Sequence, residues 1–148
     1  MTRDFQSAGR FEGKVFILPV RIYYEDTDLS GVVYHANYLR YMERARSEFF
    51  FALGIKVASL DDADPAAWAL RKVEVEFVRP ARFADLIEVH TQATALTGVR
   101  LEAQQNIHCG GSLLTRGHVE ACIVTLTGRP RRIPQDVRDK LLPFLYET

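Results

Sequence analysis

The sequence predicts an α+β domain in which one long helix packs against an antiparallel sheet. Residues 38–53 carry apolar side chains at the spacing of one helix face, and several later segments alternate apolar and polar residues. The chain of 148 residues has the size of one domain, which buries about 70% of the surface exposed by the unfolded chain. These observations favour a single core between the helix and the sheet.

The first predicted strand follows a polar N-terminal segment. Residues 1–14 contain no apolar run, so we interpret them as a flexible arm that precedes one domain of residues 15–148. Residues 15–24 are rich in β-branched and aromatic side chains, which is typical of a strand. Because Pro19 has no amide hydrogen to donate, this strand should begin late or lie at a sheet edge.

The helix has recognisable ends. Its apolar face is formed by Tyr38, Met42, Ala45, Phe49 and Leu53. Asn37 can cap the start by accepting a backbone N–H, and Gly54 suits the left-handed conformation that often ends a helix. We therefore predict a helix over residues 38–53, followed by a surface connection over residues 55–68, which contain three aspartates and a proline.

Four alternating segments after the helix predict the remaining strands. They lie near residues 72–77, 87–95, 99–107 and 112–124. Gly110 and Gly111 suit a two-residue hairpin turn, and the apolar run 121–124 indicates a central strand. Residues 137–145 have the spacing of a short terminal helix. The prediction is thus a five-stranded sheet whose apolar first strand forms an exposed edge, which a homodimer would cover.

Composition excludes several classes of function. Nineteen basic and nineteen acidic residues cancel, so no overall positive charge favours a nucleic-acid partner. Cys109 and Cys122 lack the spacing of a metal or redox motif. No apolar stretch approaches the roughly 20 residues that span a bilayer. We expect a cytoplasmic protein without a metal or other cofactor, for which association with a membrane surface stays open.

The loop before the helix is the best candidate for a catalytic site. It places Asp28 seven residues before His35, close to the predicted helix start. A carboxylate there can attack an activated acyl carbon or activate water, and backbone N–H groups near residues 34–36 can stabilise the oxyanion. This chemistry suits hydrolysis of a thioester, whose thiolate leaves without a strong acid. The structural alternative is that Asp26 and Asp28 only form Asx-turns.

Other polar residues are secondary candidates. His35, Tyr24 and Tyr34 can donate hydrogen bonds to a substrate, although each can equally be a helix-end or core residue. The local basic residues are Arg129, Arg131 and Arg132 in one turn, with Arg79 and Arg82 after the second strand. Guanidinium groups bind phosphates well, although each of these can equally be a solvated charge on a turn. His90, His108 and His118 lie in predicted strands without ligand spacing. The chain has no serine nucleophile elbow, P-loop, dinucleotide fingerprint or His-Glu zinc motif.

Residues 20–50, with the sequence VRIYYEDTDLSGVVYHANYLRYMERARSEFF, resemble the hotdog-fold acyl-CoA thioesterases of the 4-hydroxybenzoyl-CoA type. The resemblance is greatest to the Tol-Pal-associated acyl-CoA thioesterase family. Residues 77–86 and 130–134 agree with it less specifically, so the resemblance covers nearly the whole chain. It implies a helix wrapped by an antiparallel sheet, dimers often paired into tetramers, and active sites at the dimer interface.

The resemblance also implies roles for individual residues. Asp28 falls on the family's catalytic aspartate, Tyr24 on an associated tyrosine, and the backbone N–H at the position of His35 on its oxyanion donor. A histidine at position 35 is typical of the Tol-Pal-associated branch, which implies short or medium acyl groups on coenzyme A or acyl-carrier protein, with coenzyme A entering as part of the substrate. A hotdog dehydratase or hydratase and a non-catalytic acyl-binding subunit remain alternatives.

Overall fold

A computed structural model describes residues 7–59 and 63–146 of the chain. Its elements are β1 (Arg10–Glu12), β2 (Val15–Arg21), α1 (Asn37–Leu53), β3 (Ala66–Phe77), β4 (Leu86–Leu96), β5 (Arg100–Cys109), β6 (Ser112–Thr125), β7 (Pro130–Arg131) and α2 (Gln135–Leu141). The helix α1 has 17 residues, which gives a length of about 25 Å. The predicted α+β class, with one long helix against one sheet, is confirmed.

All strands belong to one antiparallel sheet. Its order is β1-β2-β4-β5-β6-β3, and β7 pairs with the residues of β6 that also pair with the beginning of β3. In the part of the chain that the structure describes, the sheet has seven strands, so the predicted number of five is wrong. The additional strands β1 and β7 have three and two residues, which is too short to produce a recognisable alternation.

The N-terminal segment differs from the prediction in two ways. The strand β1 lies within the predicted arm and pairs with the first residues of β2, so the arm prediction is wrong for Arg10–Glu12, while residues 1–6 lie outside the described part. The strand β2 begins at Val15 and ends at Arg21. Pro19 pairs with Glu88 of β4 beyond the end of β1, which is an edge position as predicted. Tyr24 begins a short 3₁₀ turn instead of ending the strand.

The helix α1 confirms the predicted bounds and C-terminal cap. Gly54 follows its last residue with φ of 71°, in the left-handed region. The N-terminal cap prediction is wrong, because Ala36 occupies the cap position and Asn37 is the first helical residue. The side chain of Asn37 is buried, and its amide donates to the backbone oxygen of Asp26 at 2.9 Å. Instead of accepting a hydrogen bond from a helix N–H, as predicted, the side chain donates one to the loop.

The helix lies unusually close to the sheet at Gly117 of β6. A Cβ atom at this position would lie 2.6 Å from the backbone oxygen of Gln105 and 2.8 Å from Cε of Met42. The neighbouring Gln105 is fully buried. Its amide donates to the oxygen of Met42 and the hydroxyl of Thr91, and its Oε1 accepts from Arg46. A polar network thus links helix and sheet inside an apolar core.

Apart from β7, the C-terminal half follows the prediction. Gly110 and Gly111 connect β5 and β6 directly, and Gly110 has φ of 59°. The strand β6 lies between β5 and β3, in the predicted central position. The helix α2 and a following 3₁₀ turn at Leu142–Phe144 form the predicted terminal helical segment.

The longest open sheet edge belongs to β3, whereas the prediction placed it on the first strand. The connection before β3 covers only its beginning, where Ser59 N–H donates to Ala66 and Trp68 N–H donates to Val57. Among the described residues, no strand pairs with the outer side of positions 69–77. Residues 66–68 are the first residues of β3, so they belong to a strand instead of the predicted surface connection.

Across the two described ranges, none of the helices is long and apolar enough to cross a bilayer.

Candidate active site

The loop before α1 folds into a small hairpin. Thr27 and Val33 form an isolated antiparallel bridge, Asp28 N–H donates to the oxygen of Val32 at 2.9 Å, and Gly31 N–H donates to the oxygen of Asp28 at 3.1 Å. Gly31 has φ of 80°, a conformation that favours glycine. The hairpin therefore projects Asp28 from a defined backbone position.

The Asp28 carboxylate is exposed and ionised. Its Oδ1 accepts hydrogen bonds from the hydroxyl of Ser30 at 2.5 Å and from the N–H of Ser30 at 2.8 Å. These bonds to Ser30 lower the pKa of Asp28 below its usual value. The predicted Asx-turn is therefore present at Asp28. No hydrogen bond to Oδ2 is found in the described part of the chain, so this oxygen is available for chemistry.

Asp26 ties the two ends of the loop together, and sequence reasoning missed this role. Its Oδ2 accepts from Tyr23 N–H at 2.8 Å, so it does not form the predicted Asx-turn. Its backbone oxygen accepts from Tyr34 N–H at 3.0 Å and from the side chain of Asn37. One residue thus contacts the start of the loop, its end and the helix. The sequence signal for this role was the position of Asp26 itself, an acidic residue two positions before Asp28.

Buried tyrosines of α1 lie beneath the loop. The hydroxyl of Tyr38 accepts from Ala81 N–H at 2.9 Å, which anchors the connection between β3 and β4. Tyr41 is almost fully buried, and its hydroxyl has no hydrogen-bond partner among the described residues. Burial, and then the nearby Asp26 carboxylate, raise the pKa of Tyr41. Both tyrosines therefore remain neutral supports of the loop.

Backbone N–H groups at the start of α1 point to an oxyanion site. Within the described residues, the N–H groups of His35 and Ala36 have no hydrogen-bond acceptor. They directly precede Asn37, at the positive end of the helix dipole. Unpaired N–H groups in this position can bind a developing negative charge.

The side chains predicted to act with Asp28, those of Tyr24, Tyr34 and His35, are exposed on the surface of the single chain. The ring of His35 lies 4.6 Å from Tyr34 and 6.3 Å from Phe77, measured between ring centroids. Tyr24 is 78% exposed and contacts Phe83 edge-on. No hydrogen bond joins Asp28 to His35 within the described ranges. The structure thus places these residues on one loop, where their side chains are exposed in the single chain.

The predicted phosphate-binding arginines, Arg129, Arg131 and Arg132, lie at the end of the sheet opposite to the Asp28 loop. Arg131 belongs to β7, which is paired with β6 next to the beginning of β3, whereas His35 contacts Phe77 at its end. The length of β3 separates these ends by about 36 Å. Arg131 forms an ion pair with Asp64, Arg132 lies beside Gly98, and Arg129 is exposed. Within one chain, this group does not contact the Asp28 loop.

Two arginines near the Asp28 loop are better placed in the same chain. Arg82 forms an isolated bridge with Val32 of the loop. Arg79 follows β3 and donates to the hydroxyl of Ser112 at 3.4 Å. Both are exposed and can bind an anionic group without leaving this end of the molecule.

One cluster of side chains has the residue types of a metal site. Glu102, His118 and Glu120 each offer an atom within 4.8 Å of the others on the outer sheet face. Arg71 and Arg100 already form ion pairs with Glu120, at 2.8 Å and 3.6 Å. These guanidinium groups compensate the carboxylate and would repel a cation, so the residues fit a metal poorly.

Comparisons with known proteins agree on one chemistry. The model of the family described as the thioesterase-like superfamily matches residues 23–141. The acyl-CoA thioester hydrolase YbgC of Escherichia coli is 38% identical over 125 residues, which cover 83% of this chain and 92% of that protein. The 1,4-dihydroxy-2-naphthoyl-CoA hydrolase of Synechococcus elongatus is 29% identical over 122 residues, covering 81% and 90%. The crystal structure of a probable thioesterase from Bartonella henselae is 38% identical, has a TM-score of 0.75, and covers 80% of this chain and 97% of that one.

Proposed function

Because the chain belongs to the thioesterase-like superfamily and is a thioesterase with the hotdog fold, we propose that it hydrolyses acyl-CoA or acyl-carrier-protein thioesters with short or medium aliphatic acyl groups. One observation carries the proposal. The loop that presents the ionised Asp28 continues into the unpaired N–H groups of His35 and Ala36. A nucleophile or base and an oxyanion site are thus parts of one segment.

The proposed reaction begins at the acyl carbon. Asp28 attacks it directly, or removes a proton from water that attacks it, and the carbonyl oxygen gains negative charge. The N–H groups of His35 and Ala36 stabilise this charge. The carbon–sulfur bond then breaks and the thiolate leaves. In the first route, water hydrolyses the resulting anhydride and restores the Asp28 carboxylate.

The surrounding side chains orient the reactants. His35 and Tyr24 can donate hydrogen bonds to the substrate or to water, and Tyr34 forms an aromatic wall beside His35. All three side chains are exposed in the single chain. A site that excludes water therefore requires another surface to cover this loop.

A homodimer through β3 supplies that surface. The outer side of residues 69–77 is unpaired among the described residues, and Leu70, Val73 and Phe77 are each at least 40% exposed. Antiparallel pairing of two β3 strands would satisfy the backbone groups and cover these side chains. We further propose that two dimers associate, since no described helix covers the polar outer face of the sheet.

Dimerisation would also bring the arginines of the basic turn close to a substrate. Antiparallel pairing brings the beginning of one β3 strand near the end of the other, so Arg129, Arg131 and Arg132 approach the Asp28 loop of the partner subunit. Arginine forks suit the phosphates of coenzyme A or of an acyl-carrier prosthetic group. Arg79 and Arg82 can bind the same anionic carrier from the subunit that provides Asp28.

Two alternatives predict different measurements. A non-catalytic acyl-binding subunit would bind a thioester without releasing a thiol. A hotdog dehydratase or hydratase would interconvert hydroxyacyl and enoyl thioesters, for which Asp28 would have to remove a proton from carbon. The unpaired N–H groups and the exposed carboxylate favour hydrolysis. We propose a cytoplasmic location, where coenzyme A thioesters are the available substrates, with peripheral contact at the membrane face.

The experiment is steady-state release of free thiol from a panel of thioesters. The panel contains acyl-CoA substrates from acetyl to dodecanoyl, one aromatic acyl-CoA, and one medium-chain acyl-carrier protein. The proposal predicts turnover of aliphatic substrates, with less turnover of the aromatic one. Binding without thiol release on every substrate would support the acyl-binding alternative, and a preference for the aromatic substrate would contradict the proposed acyl class.

A single turnover in H₂¹⁸O distinguishes the two roles of Asp28. With enzyme in excess, the anhydride route places the label in the Asp28 carboxylate when water attacks the aspartyl carbonyl. Direct attack by water places the label only in the fatty acid. Mass spectrometry of the peptide that contains Asp28 reads the outcome.

A further inference from the structure

The hydroxyl of Tyr41 is a buried donor for which the proposed reaction has no use. The side chain is 1% exposed, and its hydroxyl has no hydrogen-bond partner among the described residues. Buried polar groups are nearly always paired, because an unpaired one gives up its hydrogen bonds to water without replacement. A phenylalanine would fill the same space without this loss. The hydroxyl therefore requires an explanation beyond packing.

The ring of Tyr41 is packed on α1 beneath Asp26. It contacts Tyr38 edge-on, with ring centroids 6.2 Å apart, and Cζ of Arg44 lies 5.8 Å from its centroid. Tyr41 follows Asn37 by four residues, so the two side chains lie on the same face of the helix. Asn37 donates to the backbone oxygen of Asp26. Asp26 therefore lies over the helix face to which Tyr41 belongs.

The Asp26 carboxylate has an oxygen available for this hydroxyl. Its Oδ2 accepts from Tyr23 N–H at 2.8 Å, whereas Oδ1 accepts no hydrogen bond within the described part of the chain. Burial raises the pKa of Tyr41 most, and the nearby Asp26 carboxylate is the next largest cause, because one negative charge disfavours a second. A donor without an acceptor and an acceptor without a donor thus lie beside each other.

Asp26 connects both parts of the proposed site. It lies two residues before Asp28, and its backbone oxygen accepts from Tyr34 N–H at 3.0 Å. Tyr34 directly precedes His35, whose N–H group is proposed to stabilise the oxyanion. A displacement of Asp26 therefore moves the Asp28 carboxylate and the oxyanion site relative to each other. A contact that holds Asp26 sets the geometry on which the reaction depends.

Covering the loop would strengthen a contact between Tyr41 and Asp26. Asp26 is half-buried in the single chain, so water competes with the phenol for its carboxylate. A bound thioester and the partner subunit would exclude this water. Away from water, a hydrogen bond to an ionised group becomes stronger, because the local dielectric constant is lower. The reaction complex thus favours a bond that the exposed loop leaves unformed.

We infer that Tyr41 is a positioning residue, whose hydroxyl donates to the Asp26 carboxylate when a thioester occupies the Asp28 loop. This inference rests on the proposed function and adds a residue that contacts neither the substrate nor the reacting atoms. The bond holds Asp28 and the His35 N–H group in place around the acyl carbon. Because it forms in the reaction complex, it contributes to kcat and not to the stability of the protein without substrate.

Tyr41→Phe removes only the hydroxyl and tests the inference. We expect kcat to fall about tenfold, the effect of one hydrogen bond to a charged group, with little change in KM. The urea midpoint should stay the same or rise, because the variant no longer buries an unpaired hydroxyl. Lower activity without lower stability is a combination that a loss of packing does not produce.

Tyr38→Phe is the matched control on the same helix. The Tyr38 hydroxyl accepts from Ala81 N–H at 2.9 Å, so this variant leaves a buried backbone donor unpaired. Its urea midpoint should fall, in contrast to that of Tyr41→Phe. A midpoint of Tyr41→Phe that falls as far as that of Tyr38→Phe would show that the Tyr41 hydroxyl supports the fold instead of the reaction, and would overturn the inference.

A double-mutant cycle identifies the acceptor. Asp26→Asn keeps an oxygen for Tyr23 N–H and removes the negative charge, so it should also lower kcat. If Tyr41 acts through Asp26, adding Tyr41→Phe to Asp26→Asn should lower kcat less than about twofold further, whereas independent effects would multiply. Because the cycle compares kcat among folded variants, it tests the inference even where one substitution changes stability.

The outcomes separate the inference from the proposed function. A Tyr41→Phe variant with the kcat of the wild type, or effects of the two substitutions that multiply, would overturn the inference and leave the proposed hydrolysis intact. A wild type that hydrolyses no thioester of the panel would refute the proposed function itself, and the inference with it.

Discussion

Replacing Asn37 tests whether its hydrogen bond to the Asp26 carbonyl positions the Asp28 loop. The Asn37 side chain is 9% exposed and donates to the oxygen of Asp26 at 2.9 Å. That oxygen also accepts from Tyr34 N–H at 3.0 Å, so Asn37→Ala leaves no unpaired carbonyl. We expect the free energy of unfolding to fall by only about 1 kcal/mol, the usual net value of a hydrogen bond.

The Asn37→Asp substitution keeps the shape of the side chain but replaces the amide donor with a carboxylate, which repels the Asp26 carbonyl. A buried carboxylate would face the Asp26 carbonyl without a donor, so we expect a larger loss of about 2–3 kcal/mol. Ser47→Ala is the control on the same helix, because it removes only the exposed hydrogen bond to Glu43, and it should change stability by less than about 0.5 kcal/mol.

Urea unfolding and thioester hydrolysis give the two measurements. Because a displacement of roughly 1 Å can reduce a rate about a hundredfold, we expect Asn37→Ala to lower kcat about 10- to 100-fold with little change in KM. A folded Asn37→Ala variant with the kcat of the wild type would show that this hydrogen bond is only structural. If Asn37→Asp were no less stable than Asn37→Ala, the described contact would be wrong.

Three further predictions address the carboxylate, the core and the interface. The folded-state pKa of Asp28 is lowered, so its ionised form contributes stability above the unfolded pKa of about 3.9, and this contribution is lost as the pH falls through the folded pKa. The Asp28-dependent decline of kcat/KM should accordingly lie below about pH 4 in a pH–rate profile, and an Asp28-dependent decline near pH 6 would contradict this. Gly117→Ala should lower the free energy of unfolding by about 1–3 kcal/mol, because its Cβ would lie 2.6 Å from the Gln105 oxygen; unchanged urea stability would refute this close approach. Val73→Arg would set like charges opposite each other in the proposed β3 pair, so sedimentation should detect monomers with little thioesterase activity, and an active dimer would exclude this interface.

The helix and the long strands could be predicted because their side-chain periodicity extends over many residues. The stripe from Tyr38 to Phe49 is buried as predicted, and Gly54 has the left-handed conformation that its position indicated. The strands β1 and β7 have no period to recognise, since their positions depend on pairing with β2 and β6. Their existence follows from tertiary contacts, which local patterns do not encode.

The sequence predicted which loop carries the candidate site, but it predicted few of the contacts and distances around that loop. The sequence placed Asp28 and His35 on the loop before a helix, and in the structure both residues belong to that loop, with His35 two residues before the start of α1. Asn37 was assigned to the wrong partner because the asparagine that precedes an apolar run usually caps the helix, whereas here the Asp26 carbonyl lies within its reach. The distance of Arg131 from the loop depends on strand order, which the spacing of arginines along the chain cannot reveal.

Hydrolysis of a medium-chain acyl-CoA by Asp28→Asn, compared with Glu25→Gln on the same exposed loop, tests the proposed role of Asp28 most directly. Loss of a positioned nucleophile or base should lower kcat at least about a hundredfold, whereas Glu25→Gln should have the rate of the wild type. Circular dichroism would verify that both variants are folded. Equal rates in the wild type and Asp28→Asn would contradict the proposal that Asp28 acts as the nucleophile or base.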